Sequence, residues 1–336
     1  MKAALRIMKR KDLREMRNKG IRKLTAVIAA VLMLCAAVLT GCGGSGSGGS
    51  GASMDQTMND AAAYLVENVA VDSADSMGGG WIPFALKMSG TDAADDDYYA
   101  AYFDSIRVLA KSNKGVISQD RPTANERVAI NLKAMGEDPT DVEGYDLLKI
   151  VDDYDLIKEQ GLNAEFYALI AANYTGYKLK NEDKYLYDIF ANQMADGAFG
   201  MDADHPDADM TAMAIQAIAA YDGKTEGGKS DERAQGAIDR ALEWLASKQD
   251  KDGGYGSSES DAQVIIALGC LGHDITAEDD DYVIDCKALY DDLMSYKSDK
   301  GFSHVKGDEV DIMATEQALM ALDAVKMAKD GQRMFA

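Results

Sequence analysis

The chain has 336 residues, of which 47% are hydrophobic, a share typical of a folded globular protein. It carries 35 Lys and Arg against 57 Asp and Glu, which gives a formal net charge of −22. This acidity argues against a nucleic-acid partner, because phosphate contacts require clustered basic side chains. Four cysteines and four prolines exclude a disulfide-built scaffold and a proline-rich or collagen-like chain.

The N-terminal region differs sharply from the rest in charge. Residues 1–24 contain ten basic and two acidic residues, a net charge of +8, which leaves −30 for the remainder. An uncharged apolar run of sixteen residues follows from Leu24 to Leu39. That length is typical of a signal-peptide core and short of the roughly 20 residues that a membrane-spanning helix needs. We therefore predict an export signal over residues 1–41.

The apolar run ends in Leu39-Thr40-Gly41-Cys42. This tetrapeptide resembles the lipobox of bacterial lipoproteins, in which an aliphatic residue and two small residues precede a cysteine. The resemblance implies that Cys42 carries the lipid, such as palmitate, and becomes the mature N-terminus. It also implies an anchor on the extracytoplasmic face of the cell membrane. The alternative is a signal anchor in which Cys42 is incidental.

A Gly/Ser-rich segment over residues 42–53 follows the predicted lipid attachment site. Such a sequence is typical of a flexible tether, and eleven residues of it span on the order of 20 Å. Anionic lipid repels the strongly acidic remainder of the chain. We therefore expect the acyl group, and not electrostatic attraction, to hold the protein at the membrane.

Residues 54–336 contain a recurring turn that joins glycine to an aromatic residue. The aromatic positions are Phe199, Tyr255 and Phe302, which lie 56 and 47 residues apart. Weaker copies stand at Gly79-Gly80-Trp81, at Lys114-Gly115-Val116 and, without glycine, at Tyr154–Ile157. This spacing predicts six repeated units.

Each unit is predicted to contain an outer and an inner helix. Cys286, Leu289 and Leu293 share one face of an outer helix, and its polar face holds Asp285, Asp291 and Asp292. Inner helices are apolar on most sides, as over 262–271 and 312–325. About twelve helices without clear strands predict an all-α fold. We expect an (α/α)6 toroid of two concentric rings, with an open solenoid as the alternative.

The segment from Arg240 to Gln249, followed by Gly253-Gly254-Tyr255, resembles the QW repeat of squalene and oxidosqualene cyclases. The resemblance to this prenyltransferase and squalene-oxidase repeat superfamily covers about 180–325 and implies an α/α toroid. In the third copy, Lys297 replaces the glutamine. The turn residues are predicted to be scaffold, with glycine adopting positive φ, the aromatic ring packing between units and glutamine bonding the next unit. They are Gln193, Gly197, Phe199, Gln249, Gly253, Tyr255, Gly301 and Phe302.

The segment Asp207-Ala208-Asp209-Met210-Thr211-Ala212 resembles the DxDDTA acid motif of squalene-hopene and related cyclases. The resemblance implies a catalytic role for Asp207 and Thr211, with Asp209 as the acid that protonates a carbon–carbon double bond. Met210 stands where the family has Asp, which removes a partner of that acid. The alternative is that Asp207 or Asp209 is an N-cap or first-turn acid of the helix after Pro206. Similar acids, Ser260-Asp261 and Asp308-Glu309, stand before other inner helices.

Metal chemistry has weak support in the sequence. Asp202, Asp204, Asp207 and Asp209 supply oxygen ligands for Ca²⁺, although their spacing is not that of an EF-hand. Asp285-Cys286 and the histidines His273 and His304 lack zinc spacing, so we predict no other metal or cofactor. Because Cys270 and Cys286 are placed at different heights on their helices, we expect two buried free thiols.

These features favour a surface-tethered lipoprotein whose toroid binds a small molecule or a protein. Squalene cyclases use two toroidal domains, this chain has room for one, and its acid motif is incomplete. Isoprenoid diphosphates and squalene are not expected outside the cell membrane. One alternative is a terpene cyclase or mutase that uses Asp209 as its general acid. The other is a polysaccharide-binding or polysaccharide-processing toroid with paired carboxylates over an open cleft.

Overall fold

The structure is a computed structural model, and it describes residues 53–71, 80–119, 121, 123–224, 229–277 and 283–335. The predicted signal peptide, the lipidation site Cys42, the tether up to residue 52 and Gly79 lie outside these residues. Ser53, the last residue of the predicted tether, caps the first helix, because its hydroxyl accepts the Gln56 amide at 3.2 Å. Ser53 therefore belongs to the first helix as its N-cap.

Twelve α-helices make up most of the described residues. They are α1 (Met54–Asn68), α2 (Ile82–Ser89), α3 (Asp96–Ser112), α4 (Thr123–Met135), α5 (Tyr154–Glu159), α6 (Leu162–Thr175), α7 (Glu182–Asn192), α8 (Ala208–Ile218), α9 (Glu232–Lys248), α10 (Ser258–Cys270), α11 (Cys286–Ser295) and α12 (Ile312–Lys329). Two 3₁₀ helices span Leu147–Asp152 and Ala219–Tyr221. None of the described helices has both the length and the apolarity to cross a bilayer.

The chain forms one short antiparallel pairing besides the helices. Strand β1 (Phe199–Gly200) pairs with β2 (Pro206–Asp207), so that Phe199 stands opposite Asp207. β2 leads directly into α8. The predicted all-α fold is confirmed, with strands confined to this two-residue ladder in the described part of the chain.

The helices fall into two classes by burial. The segments 262–271 and 312–325, predicted to be inner helices, are buried along almost all of their length in α10 and α12. Every second helix along the chain packs on the next one of that series: α2 on α4, α4 on α6, α6 on α8, α8 on α10 and α10 on α12. Helix α12 in turn packs on α2. The intervening helices α3, α7, α9 and α11 each expose a polar face.

Side-chain caps fix where these helices begin. Asp207 caps α8, which agrees with the predicted N-cap role of this motif. For α10 and α12, however, the caps are Ser257 and Asp311, which accept amides of the first turn. The predicted acids Ser260-Asp261 and Asp308-Glu309 do not cap these helices. Asp261 lies one turn inside α10 and is completely buried.

Two further local predictions are wrong. Residues 154–157, predicted as a repeat turn, begin helix α5, because the Asp153 carboxylate accepts the Leu156 amide and starts a helical turn there. The turn before α6 lies instead at Gly161, with φ of +94°. On α11, Asp292 was predicted on the polar face but is only 4% exposed. Lys306 pairs with it at 2.5 Å, which makes this burial tolerable.

Candidate functional site

Hydrogen bonds to threonine hydroxyls anchor two of the glycine–aromatic turns to inner helices. The Phe199 amide donates to Thr211 Oγ1 at 2.9 Å, and the Phe302 amide donates to Thr315 Oγ1 at the same distance. Both aromatic rings are completely buried. The Thr211 hydroxyl lies 2.7 Å from the Asp207 carbonyl, to which it donates. Thr211, predicted as catalytic by resemblance, is therefore engaged in holding its turn.

The repeat glutamines link neighbouring units, as predicted for scaffold residues. The side-chain amides of Gln193 and Gln249 donate to the glycine carbonyls of their own turns at 3.0 and 2.8 Å. Gln193 also donates to the Ala237 carbonyl on α9 at 2.8 Å. Gln249 Oε1 accepts the Asp285 amide, at the start of α11, at 2.8 Å. Each glutamine thus binds its own turn and the outer helix of the next unit.

The predicted turn geometry holds at two of the three glycines. Gly197 and Gly253 have φ of +100° and +98°, a region that favours glycine. Gly301 does not have positive φ, and a Cβ there would lie 2.6 Å from the Thr315 hydroxyl. Close approach, and not backbone conformation, is the reason for glycine at that position.

The two acidic residues of the DxDDTA-like motif have different environments. Asp207 Oδ1 accepts the Met210 amide at 2.9 Å and caps α8. Asp209, in the first turn of α8, is partly buried, and its Oδ1 has no hydrogen-bond partner. Burial raises the pKa of Asp209, and the negative charges of Asp207 and Glu259 raise it further. A hydrogen bond with Ser260 lowers it by a smaller amount. Asp209 is therefore a weaker acid than a solvated aspartic acid.

Two of the four aspartates predicted as Ca²⁺ ligands, Asp202 and Asp207, have other partners. The Asp202 carboxylate accepts the amides of Asp204 and His205 at 2.9 and 3.1 Å and contacts the His205 ring at 2.7 Å. Asp207 is occupied as a cap. Within the described ranges, no group of three or more His, Cys, Asp and Glu side chains is placed to hold a metal ion. The structure does not bring the four aspartates together.

A cluster of partly exposed polar and aromatic side chains stands on helices that are otherwise buried. We define the Arg127 cluster as Trp81, before α2, Arg127 of α4, Tyr167 of α6 and Asp209 of α8. The Trp81 and Tyr167 rings lie 5.4 Å apart. Burial raises the pKa of Tyr167, Arg127 opposes the rise, and the charges of Glu126 and Asp209 add to it. Tyr167 therefore lies within electrostatic range of both Arg127 and Asp209, and its ring is next to that of Trp81.

Phenylalanine rings close the cluster on one side. Phe84 and Phe335 lie 6.2 and 6.4 Å from the Trp81 ring, and their own rings stack at 5.2 Å. Both phenylalanines are buried, whereas Trp81 retains exposed surface. The open side of Trp81 is therefore the one that does not face Phe84 and Phe335.

A ladder of glutamines crosses the three following inner helices. Gln216 of α8 donates to Gln263 Oε1 of α10 at 2.9 Å, and Gln263 donates to Gln317 Oε1 of α12 at 3.0 Å. Gln216 and Gln263 are buried, and Gln317 is partly exposed. Because the amides satisfy one another, this ladder fixes the register of the helices.

Two buried acid pairs lie between inner and outer helices. Glu165 of α6 shares a hydrogen bond with Asp188 of α7, and Lys158 lies 2.5 Å from Asp188. Burial and the Asp188 charge raise the pKa of Glu165 to about 7. Burial also raises the pKa of Asp188, but the bonds from Lys158 and Tyr154 outweigh it and lower the pKa overall. Below about pH 7 the pair therefore holds one proton, on Glu165, and one charge, on Asp188.

The second pair repeats this arrangement two units later. Asp261 of α10 shares a hydrogen bond with Asp292 of α11, which Lys306 neutralises. Burial raises the pKa of Asp261, the Tyr255 amide opposes this, and the Asp292 charge adds to the rise. A Cβ at Gly254 would lie 2.9 Å from Asp261 Oδ1, so glycine leaves room for the pair. Both pairs are enclosed and structural.

Cys270 and Cys286 are buried, and neither forms a disulfide within the described residues, as predicted. Burial raises the pKa of the Cys270 thiol, which makes it unreactive at neutral pH.

A surface cleft of about 920 Å³ lies beside α5, between residues 144 and 156. Its acids already have partners, since Asp152 pairs with Lys180 at 2.8 Å and Asp153 caps α5. The Lys184 ammonium lies over the Tyr154 ring at 4.8 Å. These wall residues have partners within the protein, whereas no described residue forms a hydrogen bond with Arg127 Nε.

Arg127 and both acid pairs belong to none of the motifs recognised in the sequence. The available signal was a charged residue within an apolar helical run, as at Glu126-Arg127, at Glu165 and at Asp261. The partners of the acids lie 23 and 31 residues away, so the pairs could not be assigned from spacing.

No model of a known protein family matches this sequence, and no curated protein matches it.

Proposed function

We propose that this chain is a membrane-anchored extracytoplasmic lipoprotein whose domain, from residue 54 onward, is an (α/α)6 toroid that binds a small molecule. The observation that carries the binding proposal is the Arg127 cluster, in which Trp81, Arg127, Tyr167 and Asp209 remain partly exposed on buried helices. Small-molecule sites combine apolar and aromatic walls with a few orienting polar groups. The cluster has that composition.

Contacts between the last and first units support a closed ring over an open solenoid. Helix α12 packs on both α1 and α2. Lys297, which replaces glutamine in the third repeat copy, pairs with Asp60 of α1 at 3.5 Å. Tyr64 of α1 donates to the Val310 carbonyl at 3.3 Å. An open stack of repeats has no such contact. This supports the resemblance to prenyltransferase and squalene-oxidase repeats.

The environment of the DxDDTA-like motif favours binding over cyclase chemistry. Asp207 and Thr211 are occupied by backbone groups of their own turn. Asp209 is partly buried, and its raised pKa makes it a weaker acid than a free carboxyl. Protonation of a carbon–carbon double bond requires the opposite, an acid strengthened by its neighbours.

Tryptophan fluorescence tests the binding proposal. The chain has two tryptophans, and Trp244 is 6% exposed and donates to Asp196 at 3.1 Å, so Trp244→Phe leaves Trp81 as the reporter. The full-length variant is titrated with 3-phenylpropanoate, hexanoate, their amides and phenyl phosphate. We expect a saturable change in emission with at least one probe. No change with any of the five would contradict binding at the cluster.

Metabolic labelling with palmitate tests the lipid anchor. We expect the label in the wild-type chain and in the control Cys35→Ala, whose cysteine lies within the apolar run. We expect its complete loss in Cys42→Ala, because the thiol is the acceptor. Label retained by Cys42→Ala would contradict the lipoprotein proposal.

A further inference from the structure

Arg127 has no acceptor for its guanidinium among the described residues. Its Nε is buried and makes no hydrogen bond. By contrast, Arg107 pairs with Glu143, Arg233 with Asp231 at 2.6 Å, and Arg333 with Asp222 at 3.0 Å. Burying part of a guanidinium costs desolvation free energy, and no hydrogen bond from another described residue offsets that cost at Arg127 Nε.

The neighbouring acid does not neutralise Arg127. Glu126 is adjacent in sequence, but consecutive residues on a helix point in different directions. Both carboxyl oxygens of Glu126 are buried without a partner, and burial raises its pKa well above the usual range, with Arg127 opposing. Among the described residues, the Glu126 carboxyl therefore makes no hydrogen bond to the Arg127 guanidinium.

The Arg127 guanidinium packs against the backbone at Gly80. A Cβ at Gly80 would lie 2.6 Å from Arg127 Nε and 2.7 Å from its Cζ, so the guanidinium lies directly over Gly80. Trp81 follows Gly80, and its ring lies 5.4 Å from that of Tyr167. Met213, one turn after Asp209 on α8, is also partly exposed. A molecule bound at the Arg127 cluster therefore meets a cation and the rings of Trp81 and Tyr167.

The charge of the surroundings selects among anions. A guanidinium matches both carboxylate and phosphate with paired hydrogen bonds. Asp209 lies in the same cluster, and the chain after residue 24 carries −30. A phosphate dianion is repelled by this field about twice as strongly as a monoanion. The surroundings therefore favour a carboxylate.

Resting on the binding function proposed above, we infer that the Arg127 cluster binds a monocarboxylate with an apolar or aromatic body. The carboxylate pairs with the Arg127 guanidinium, and the body packs against Trp81 and Tyr167.

The titration of Trp81 emission in Trp244→Phe tests this inference. We expect 3-phenylpropanoate and hexanoate to bind at least about tenfold more tightly than their amides, because only the acids form charged hydrogen bonds. Phenyl phosphate is expected to bind more weakly than 3-phenylpropanoate. Equal affinity of acids and amides, or tighter binding of phenyl phosphate, would overturn the carboxylate inference. Binding of an amide would still support the proposed binding function. No change in Trp81 emission with any of the five probes would overturn both the carboxylate inference and the proposed binding function.

Substitutions at and beside Arg127 distinguish a loss of the binding charge from a general loss of folding. Arg127→Met is expected to lower carboxylate affinity at least about tenfold and to leave amide affinity unchanged. Arg107→Met, at an exposed arginine paired with Glu143, is the matched control and should bind as wild type. Gly80→Ala keeps the charge but displaces the guanidinium, so it should also weaken carboxylate binding. Wild-type carboxylate affinity in both Arg127→Met and Gly80→Ala would overturn the inference.

Discussion

Replacing Gly253 by alanine is expected to lower the free energy of unfolding by about 3 kcal/mol or more. The φ of +98° costs a residue with a Cβ roughly 1–2 kcal/mol. The new Cβ would also lie 2.5 Å from the carbonyl carbon of Ala288 on α11, and overpacking of this kind costs about 1–3 kcal/mol. Denaturant unfolding of the full-length chain, followed by circular dichroism, measures the loss.

Gly256→Ala is the matched control for the same loop. Gly256 has φ of +92°, but a Cβ there meets no atom within 4 Å. We expect this variant to lose only the backbone cost, about 1–2 kcal/mol. The difference between the two variants isolates the close approach of α11 to the turn. Equal losses would mean that α11 can move away from Gly253 at no cost, which contradicts a fixed packing of neighbouring units.

The second large effect is a loss of stability as the pH rises from 5 to 9. Glu126 and Asp323 are completely buried, and none of their carboxyl oxygens has a hydrogen-bond partner among the described residues. Burial raises the pKa of both well above the usual range, while Arg127 and Lys326 respectively oppose the rise. Glu165, with a pKa raised to about 7, titrates within this interval.

The direction of the effect follows from proton linkage. A carboxyl whose pKa is higher in the folded state binds its proton more tightly there than in the unfolded chain. Its stabilisation is complete below the pKa of the unfolded carboxyl and is lost as the pH rises through the folded-state pKa. Glu165 alone accounts for about 2–3 kcal/mol between pH 5 and pH 9. Acids with lowered pKa, such as Asp188, lose their contribution only at more acidic pH.

Neutral isosteres make this prediction specific. The double variant Glu126→Gln with Asp323→Asn is expected to match wild type at pH 5 and to be more stable at pH 9, because neither side chain titrates. Glu143→Gln is the control, since its pKa is lowered by the hydrogen bond and charge of Arg107 and it stays ionised throughout. That variant should keep the wild-type slope. Denaturant midpoints of wild type and variants at pH 5 and pH 9 measure this pH dependence of stability. A wild-type chain that is more stable at pH 9 than at pH 5 would contradict the prediction.

The local rules of helix formation made much of the fold predictable. Apolar periodicity identified α8 and α12, and the glycine–aromatic spacing identified turns at Gly197 and Gly253 whose positive φ is confirmed. Errors arose where a partner lay far along the chain. Asp292 looked like a solvent-facing acid because its partner Lys306 lies 14 residues away, in a loop.

The candidate site was less predictable than the fold. The resemblance directed attention to Asp207 and Thr211, which turned out to satisfy backbone groups of their own turn. Arg127 belongs to no motif, and its exposure depends on which side of α4 faces Trp81 and Tyr167. That orientation is set by the packing of α2, α4 and α6. The apolar periodicity of α4 alone therefore does not predict this orientation.

The most direct measurement of the central claim is a crystal structure of the protein with 3-phenylpropanoate. We expect the carboxylate within hydrogen-bond distance of the Arg127 guanidinium and the phenyl ring against Trp81 and Tyr167. The same structure should show α12 packed on α2. A ligand bound elsewhere, or an Arg127 that pairs with a protein carboxylate instead of the ligand, would contradict the account.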